Sequence, residues 1–250
     1  AGDEPLMLAA HLSEVSVLVA ENRHLAGRLA EEQLGASVHL LDDGFQHLSL
    51  HRDVDLLVVG DGDLADPRTL PGGRLREPPE TSSRADALVV QAAEREHARA
   101  IADRFGVGEA FHFVKTLGFP RDATDLQEKE IVDGTRVLVV AGIAKPQSFV
   151  DDLRASGYHV VDLIQVRDHH PYSRKDVSGI ADRAESLKVD FVITTEKDLV
   201  RLRLHAPFAF PLLWVPLKVM VQPTDRFRSW LTGRLAAARG ATFETSPLES

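Results

Sequence analysis

The 250-residue sequence has no cysteine, two methionines, two tryptophans and two tyrosines, and only 6% of its residues are aromatic. Without cysteine the chain forms neither disulfides nor thiolate metal sites, which fits a reducing compartment. It has no run of about 18 apolar residues, and no basic start leading into an apolar stretch marks a signal peptide. The chain is therefore expected to be soluble or at most peripheral to a membrane. An excess of positive charge is missing too: the formal charge is -9 and the pI is near 5.6. Nucleic-acid binding needs a basic face to meet phosphates, so it is not expected. One further absence bears on chemistry, since no G-x-x-x-x-G-K-[ST] phosphate loop occurs in the sequence.

What is present reads as a globular α/β chain. With 44% hydrophobic residues it can bury a core. Apolar, β-rich runs alternate with amphipathic ones: Val15-Ala20 before Asn22 to Leu34, then Val38-Leu41, Val54-Val59, and Ala87-Gln91 before Glu94 to Phe105. A second cycle comprises Arg136-Ala141, Pro146 to Ser156, His159-Val166, Arg174 to Leu187, Phe191-Thr195, Leu212-Val215 and a last helix from Thr224 to Arg239. This alternation predicts two lobes, each a mainly parallel sheet flanked by helices. The polar, acid-rich stretch Gly118 to Gly134 with Pro120 is the natural boundary, giving lobes at 1–120 and 128–240. The tail after Gly240 is expected to fray. Gly2-Asp3-Glu4-Pro5 resembles the inside of a loop more than a natural start, so an N-terminal segment is expected to precede it.

Several short motifs carry chemistry. Asp42-Asp43-Gly44 follows the apolar run Ser37 to Leu41, which places two carboxylates at the expected end of a strand, where α/β folds bind ligands and metal-bound phosphates. Taken alone, Asp-Asp-Gly is ordinary turn chemistry. Asp3 and Glu4 open a helix-like stretch, where acids favour the dipole, and a carboxylate there can also serve as a base. His169 and His170 lie between a strand and the helix opened by Ser173; a loop histidine is the default, and proton transfer the alternative. No His/Asp/Glu set has zinc spacing. The Gly60 to Pro79 loop ends Gly73-Arg74-Leu75-Arg76-Glu77-Pro78, whose arginines suit phosphate oxygens. Thr195 is expected to cap a helix with Asp198 three residues on, and Gly142 in Ala141-Gly142-Ile143-Ala144-Lys145-Pro146 permits a close strand-to-helix turn.

Taken in order, Gly2-Asp3-Glu4-Pro5, Asp42 to His47, Leu75-Arg76-Glu77-Pro78, Ala141 to Pro146, Asp168-His169-His170 and Thr194 to Asp198 together resemble the tetraacyldisaccharide 4'-kinases of lipid A biosynthesis. The resemblance spans nearly the whole chain. It implies a P-loop kinase that uses ATP and Mg²⁺ to phosphorylate the 4'-hydroxyl of a tetraacyldisaccharide 1-phosphate. It further implies that Asp3 is a base paired with His169, and that Asp42 and Asp43 hold the metal. Gln46, Arg76 and Glu77 would surround the nucleotide and transferred phosphate, with Glu4 a less specific carry-over. An acylated substrate implies peripheral association with the cytoplasmic face of the bacterial inner membrane.

Such kinases also carry a phosphate loop upstream of the Gly-Asp-Glu-Pro motif. The expectation is therefore an N-terminal lobe that is P-loop NTPase-like but lacks its first βα unit, and a polypeptide that by itself binds ATP poorly and turns over negligibly, while the full-length parent is a competent kinase. Two other readings use the same residues: a non-catalytic pseudoenzyme or partner module derived from a P-loop kinase, and a sheet-edge phosphotransferase with another hydroxyl acceptor.

Overall fold

The computed structural model describes residues 2–60, 68–73 and 75–244. It is an α/β fold with two sheets, in two compact units. The chain passes between the units at Ser37/Val38, Lys115/Thr116 and Lys218/Val219. The units thus interleave along the chain, whereas the sequence reading divides it once, in chain order. The middle crossing lies close to that expected boundary. The outer two arise because the first helix packs on an element of the 190s, and because the strand Leu217–Gln222 joins the sheet built from residues 56–117.

The first unit holds α1 (Asp3–His11), α2 (Arg23–Leu34) and a five-stranded sheet. Its strands are β4 (Arg121–Asp122), β5 (Arg136–Ala141), β6 (His159–Gln165), β7 (Phe191–Thr195) and β8 (Leu212–Val215), in the order β4-β8-β7-β5-β6. All neighbours are parallel except the β4–β8 edge. Helices α4 (Pro146–Ala155), α5 (Arg174–Leu187) and α6 (Glu196–Leu202) connect them. Strand β5 is a continuous apolar run, as befits a central strand covered on both faces. Its alternate residues divide between two cores: Val137, Val139 and Ala141 pack with Phe149, Val150 and Leu153 of α4, while Leu138 and Val140 pack with Ile180, Ala184, Leu199 and Leu202. Burying each large side chain stabilises the fold by roughly 1.5–3 kcal/mol.

Local signals set the helix ends. Ser173 and Asp176 form a reciprocal capping box for α5, the Asn22 side chain accepts from Leu25 N–H at the start of α2, and Gly35 ends that helix at φ 66°. Because β5, β6 and β7 run parallel, the loops after Ala141, Gln165 and Thr195 emerge at one edge of the sheet.

The second unit has a four-stranded sheet of β1 (Leu56–Val59), β2 (Ala87–Gln91), β3 (Ala110–Leu117) and β9 (Leu217–Gln222), in that order. Ala98, Ile101 and Ala102 of α3 (Arg95–Arg104) are buried in its core with Leu88 and Val90. Phe227 and Trp230 of α7 (Thr224–Glu244) meet the Phe111 ring at 5.0 and 5.5 Å. Helix α7 continues past Gly240, where fraying was expected, and the expected tail beyond 244 lies outside the described residues.

Two expected strands do not form. Val15-Ala20 and Val38-Leu41 belong to no strand among the described residues, and Val15, Val19, Val38 and Leu40 are exposed, Leu40 by 94%. Their composition suits a strand, but β structure is stabilised by cross-strand neighbours, and these runs have none in either sheet.

Candidate active site

At the carboxyl edge of the first unit's sheet, the chain leaves β6 and turns through Asp168-His169-His170. The His170 N–H closes the turn on the Arg167 carbonyl at 3.1 Å, and the Asp168 carboxylate accepts the His169 N–H at 3.0 Å. His169 itself adopts φ 57°, the left-handed region that costs a side-chain-bearing residue some energy. That backbone aims the imidazole at α1: Nδ1 lies 3.2 Å from Asp3 Oδ2, although the two residues are 166 apart in sequence. On the other side of the ring, Lys197 Nζ of α6 is 3.4 Å from Nε2. An ionised carboxylate only accepts and an ammonium only donates, so a neutral imidazole with its proton on Nδ1 satisfies both neighbours. Asp3 and His169, expected from different lobes, thus lie together within one unit.

Charges brace this pair. Lys197 Nζ is 3.3 Å from Glu4 and 3.2 Å from Asp168, and His11 of α1 pairs with Glu196 at the start of α6. Arg201 Nε approaches Asp3 Oδ2 at 3.2 Å, close enough for an ion pair though not aligned as a hydrogen bond. Beneath these groups sits Asp198, with no exposed surface. One of its oxygens accepts from Gly142 N–H (2.9 Å) and Thr195 Oγ1 (2.7 Å), and the other from Tyr172 Oη (3.1 Å) and Arg201 Nη2 (3.0 Å). A buried carboxylate is tolerable only when satisfied in this way. Gly142 is required there, because a Cβ would come within 2.8 Å of both Asp198 and Val166.

Electrostatics follow from this packing. Burial would raise the Asp168 carboxyl, but the Lys197 hydrogen bond and charge, helped by His169, outweigh it and hold the group below its ordinary value. Burial likewise opposes the Lys197 ammonium, and the hydrogen bonds it donates to Asp168 and Glu4 overcome that, raising its pKa. The Tyr172 hydroxyl is pushed up by burial and then by the neighbouring Asp198 carboxylate.

In the second unit, Asp42 and Asp43 do not end a strand. They form a turn in which Asp43 has φ 53° and both side chains are exposed. Gly44 is buried behind them, and a Cβ there would strike the Leu41 Cβ at 2.8 Å. The turn chemistry of Asp-Asp-Gly therefore governs the local backbone, and it leaves two adjacent carboxylates accessible. Asp43 Oδ2 pairs with Arg76 Nη1 at 3.1 Å. Gln46, Arg76 and Glu77 line one pocket of about 120 Å³ with Phe45, Val59 and Phe105. Arg84 holds Glu77 at 2.7 Å and lies 4.9 Å over the Phe45 ring. Arg74 and residues 61–67 of the arginine-bearing loop lie outside the described residues. Among the described residues no group of three or more His, Asp or Glu side chains could hold a metal. Mg²⁺, however, takes only one or two carboxylates beside phosphates and water, and exposed Asp42 and Asp43 fit that demand.

A family model described as tetraacyldisaccharide-1-P 4'-kinase matches residues 1–236. The chain belongs to this family. It is 37% identical over 226 residues to the tetraacyldisaccharide 4'-kinase of Geobacter sulfurreducens, covering 90% of this chain and 63% of that protein. With the Bradyrhizobium sp. enzyme of the same name it shares 39% over 247 residues, covering 95% and 67%. The chain thus spans about two-thirds of the length of these curated relatives. The crystal structure of LpxK from Aquifex aeolicus in complex with ATP superposes with a TM-score of 0.68 at 28% identity, over 93% of this chain and 69% of that one.

The sequence motifs point to Asp3, Glu4, Asp42, Asp43, Gln46, Arg76, Glu77 and His169 as candidate site residues. No motif marks Lys197 and Arg201 as neighbours of the acid–histidine pair, or Arg84 as the partner of Glu77; the fold brings them there. The capping role of Thr195 toward the Asp198 N–H is observed at 3.1 Å. The i, i+3 spacing of Asp198 and Arg201 was the one available hint of the buried pair.

Proposed function

We propose that the protein transfers the γ-phosphoryl group of ATP to the 4'-hydroxyl of a tetraacyldisaccharide 1-phosphate. The observation that carries this reading is the approach of His169 to Asp3 at 3.2 Å in a chain of the 4'-kinase family. A sugar hydroxyl is a poor nucleophile, so the Asp3 carboxylate takes its proton as the oxygen attacks phosphorus. A new O–P bond forms, the bond from the γ-phosphorus to its bridging oxygen breaks, and ADP leaves with the electron pair. His169 donates through Nδ1 to Asp3 and fixes its orientation, while Lys197 holds the far side of the ring. Asp42 and Asp43 would hold Mg²⁺, which supplies charge stabilisation to the phosphoryl oxygens when bound. Gln46, Arg76 and Glu77 serve the nucleotide and its phosphates. Glu4 acts through Lys197 rather than on substrate.

The kinase names of the relatives favour this over a non-catalytic module. The unit of residues 38–115 and 219–250, which carries Gln46, Arg76 and Glu77, then serves as the nucleotide side of a P-loop kinase, in place of the sequential lobes 1–120 and 128–240. No helix among the described residues is long and apolar enough to cross a membrane, and an acylated acceptor supports peripheral work at the cytoplasmic face of the inner membrane. The test is to incubate the purified protein with labelled ATP, Mg²⁺ and tetraacyldisaccharide 1-phosphate in mixed micelles. Label at the 4'-oxygen, abolished by chelating the metal, is expected; absence of lipid phosphorylation by the intact protein would overturn the proposal.

A further inference from the structure

We infer that Arg201 is the positioning residue of the Asp3–His169 pair. The inference rests on the kinase reading above and names a residue which that reading does not use. Arg201 is 8% exposed, and its guanidinium touches Asp3 and the backbone of the turn that carries His169. Its Nε faces Asp3 Oδ2 at 3.2 Å, and its Nη1 donates to the carbonyl of His170, the residue after His169 in the turn, at 3.0 Å. Its third nitrogen, Nη2, is tied to Asp198, which is anchored to Gly142, Thr195 and Tyr172. The planar fork therefore connects three places: the floor of the sheet edge, the backbone of the histidine turn and the carboxylate on α1. Lysine has no such geometry, since its ammonium is a point charge on a flexible stem.

The poor alignment at Nε is informative. Nε is buried without an aligned hydrogen bond, so a small swing of the Asp3 carboxylate completes the contact. Catalytic hydrogen bonds that are loose without substrate commonly tighten once it binds. Arg201 thus defines the position to which Asp3 moves when the acceptor hydroxyl arrives. Its effect belongs on the rate of transfer rather than on ATP capture, because the groups it holds are Asp3, the His170 carbonyl and Asp198.

The experiment compares wild type, Arg201→Lys, Asp3→Asn and the double variant in the same lipid phosphorylation assay, with thermal melting alongside. Arg201→Lys should lower kcat by about 10–100-fold, as small misplacements of catalytic groups do, with the KM for ATP nearly unchanged. In the Asp3→Asn background the same substitution should cost little more, because the group it positions is already gone. A paired Arg201→Gln, Asp198→Asn variant removes both buried charges together, and should show the same loss in kcat if Arg201→Lys does not fold. Wild-type kcat in a folded Arg201 variant, or an equal factor with and without Asp3, would overturn the inference. An inactive wild type, or an Asp3→Asn variant as fast as wild type, would instead overturn the kinase reading itself.

Discussion

Asp198 in the first unit is fully buried and receives four donors, whereas Asp43 in the second is exposed and meets Arg76 across a solvated surface. The contrast teaches where rigidity is needed. Around Asp3 and His169 the protein spends a buried carboxylate, a buried guanidinium, a buried tyrosine and a space-limited glycine to hold a turn in the left-handed region. A proton acceptor, the role proposed for Asp3, must be placed to within a fraction of an ångström, and such bracing suits that role. Around Asp42 and Asp43 the backbone is set by a turn and a buried Gly44, and the carboxylates stay accessible. Accessible oxygens are what a hydrated Mg²⁺ requires.

The largest effect that can break this contrast is on stability in the first unit. Asp198→Ala leaves Arg201 buried without its partner, and removing one member of a buried pair costs about 3–5 kcal/mol. Urea denaturation of the variant should show a loss of that size, and a loss close to zero would mean that the network is not the brace described. Asp43→Asn, by comparison, should change stability by less than about 1 kcal/mol, as exposed pairs do. Its effect should appear instead as a higher Mg²⁺ concentration for half-maximal activity. An unaltered Mg²⁺ dependence together with a large drop in stability would reverse the roles assigned to the two regions.

Much of the fold was legible because its central strands are continuous apolar runs between turn residues. Ala87–Gln91, Arg136–Ala141, Phe191–Thr195 and Leu212–Val215 occupy the expected residues. Strand β3 was missed because His112 and Lys115 interrupt its pattern, although His112 is buried. Strand β9 was missed because it follows Pro216 directly and its first four residues are exposed. Val38-Leu41 misled in the opposite sense, having strand composition but no neighbour to pair with. In the candidate site, no spacing links residue 3 to residue 169; only the resemblance joined them, and the fold then placed them in contact. Arg201 carried no signal beyond its distance from Asp198. The contacts it makes depend on how α1 lies against α6, which local pattern does not encode.

The most direct test of the account is a double-mutant cycle on Asp3 and His169, read as kcat for 4'-phosphorylation with ATP affinity measured in parallel. Each single substitution should slow transfer by about 10²–10⁴-fold, the range of general-base contributions. The double variant should be no slower than the slower single, since the two act as one unit. Factors that multiply, or ATP binding that weakens as much as kcat falls, would contradict the claim that this pair carries the proton.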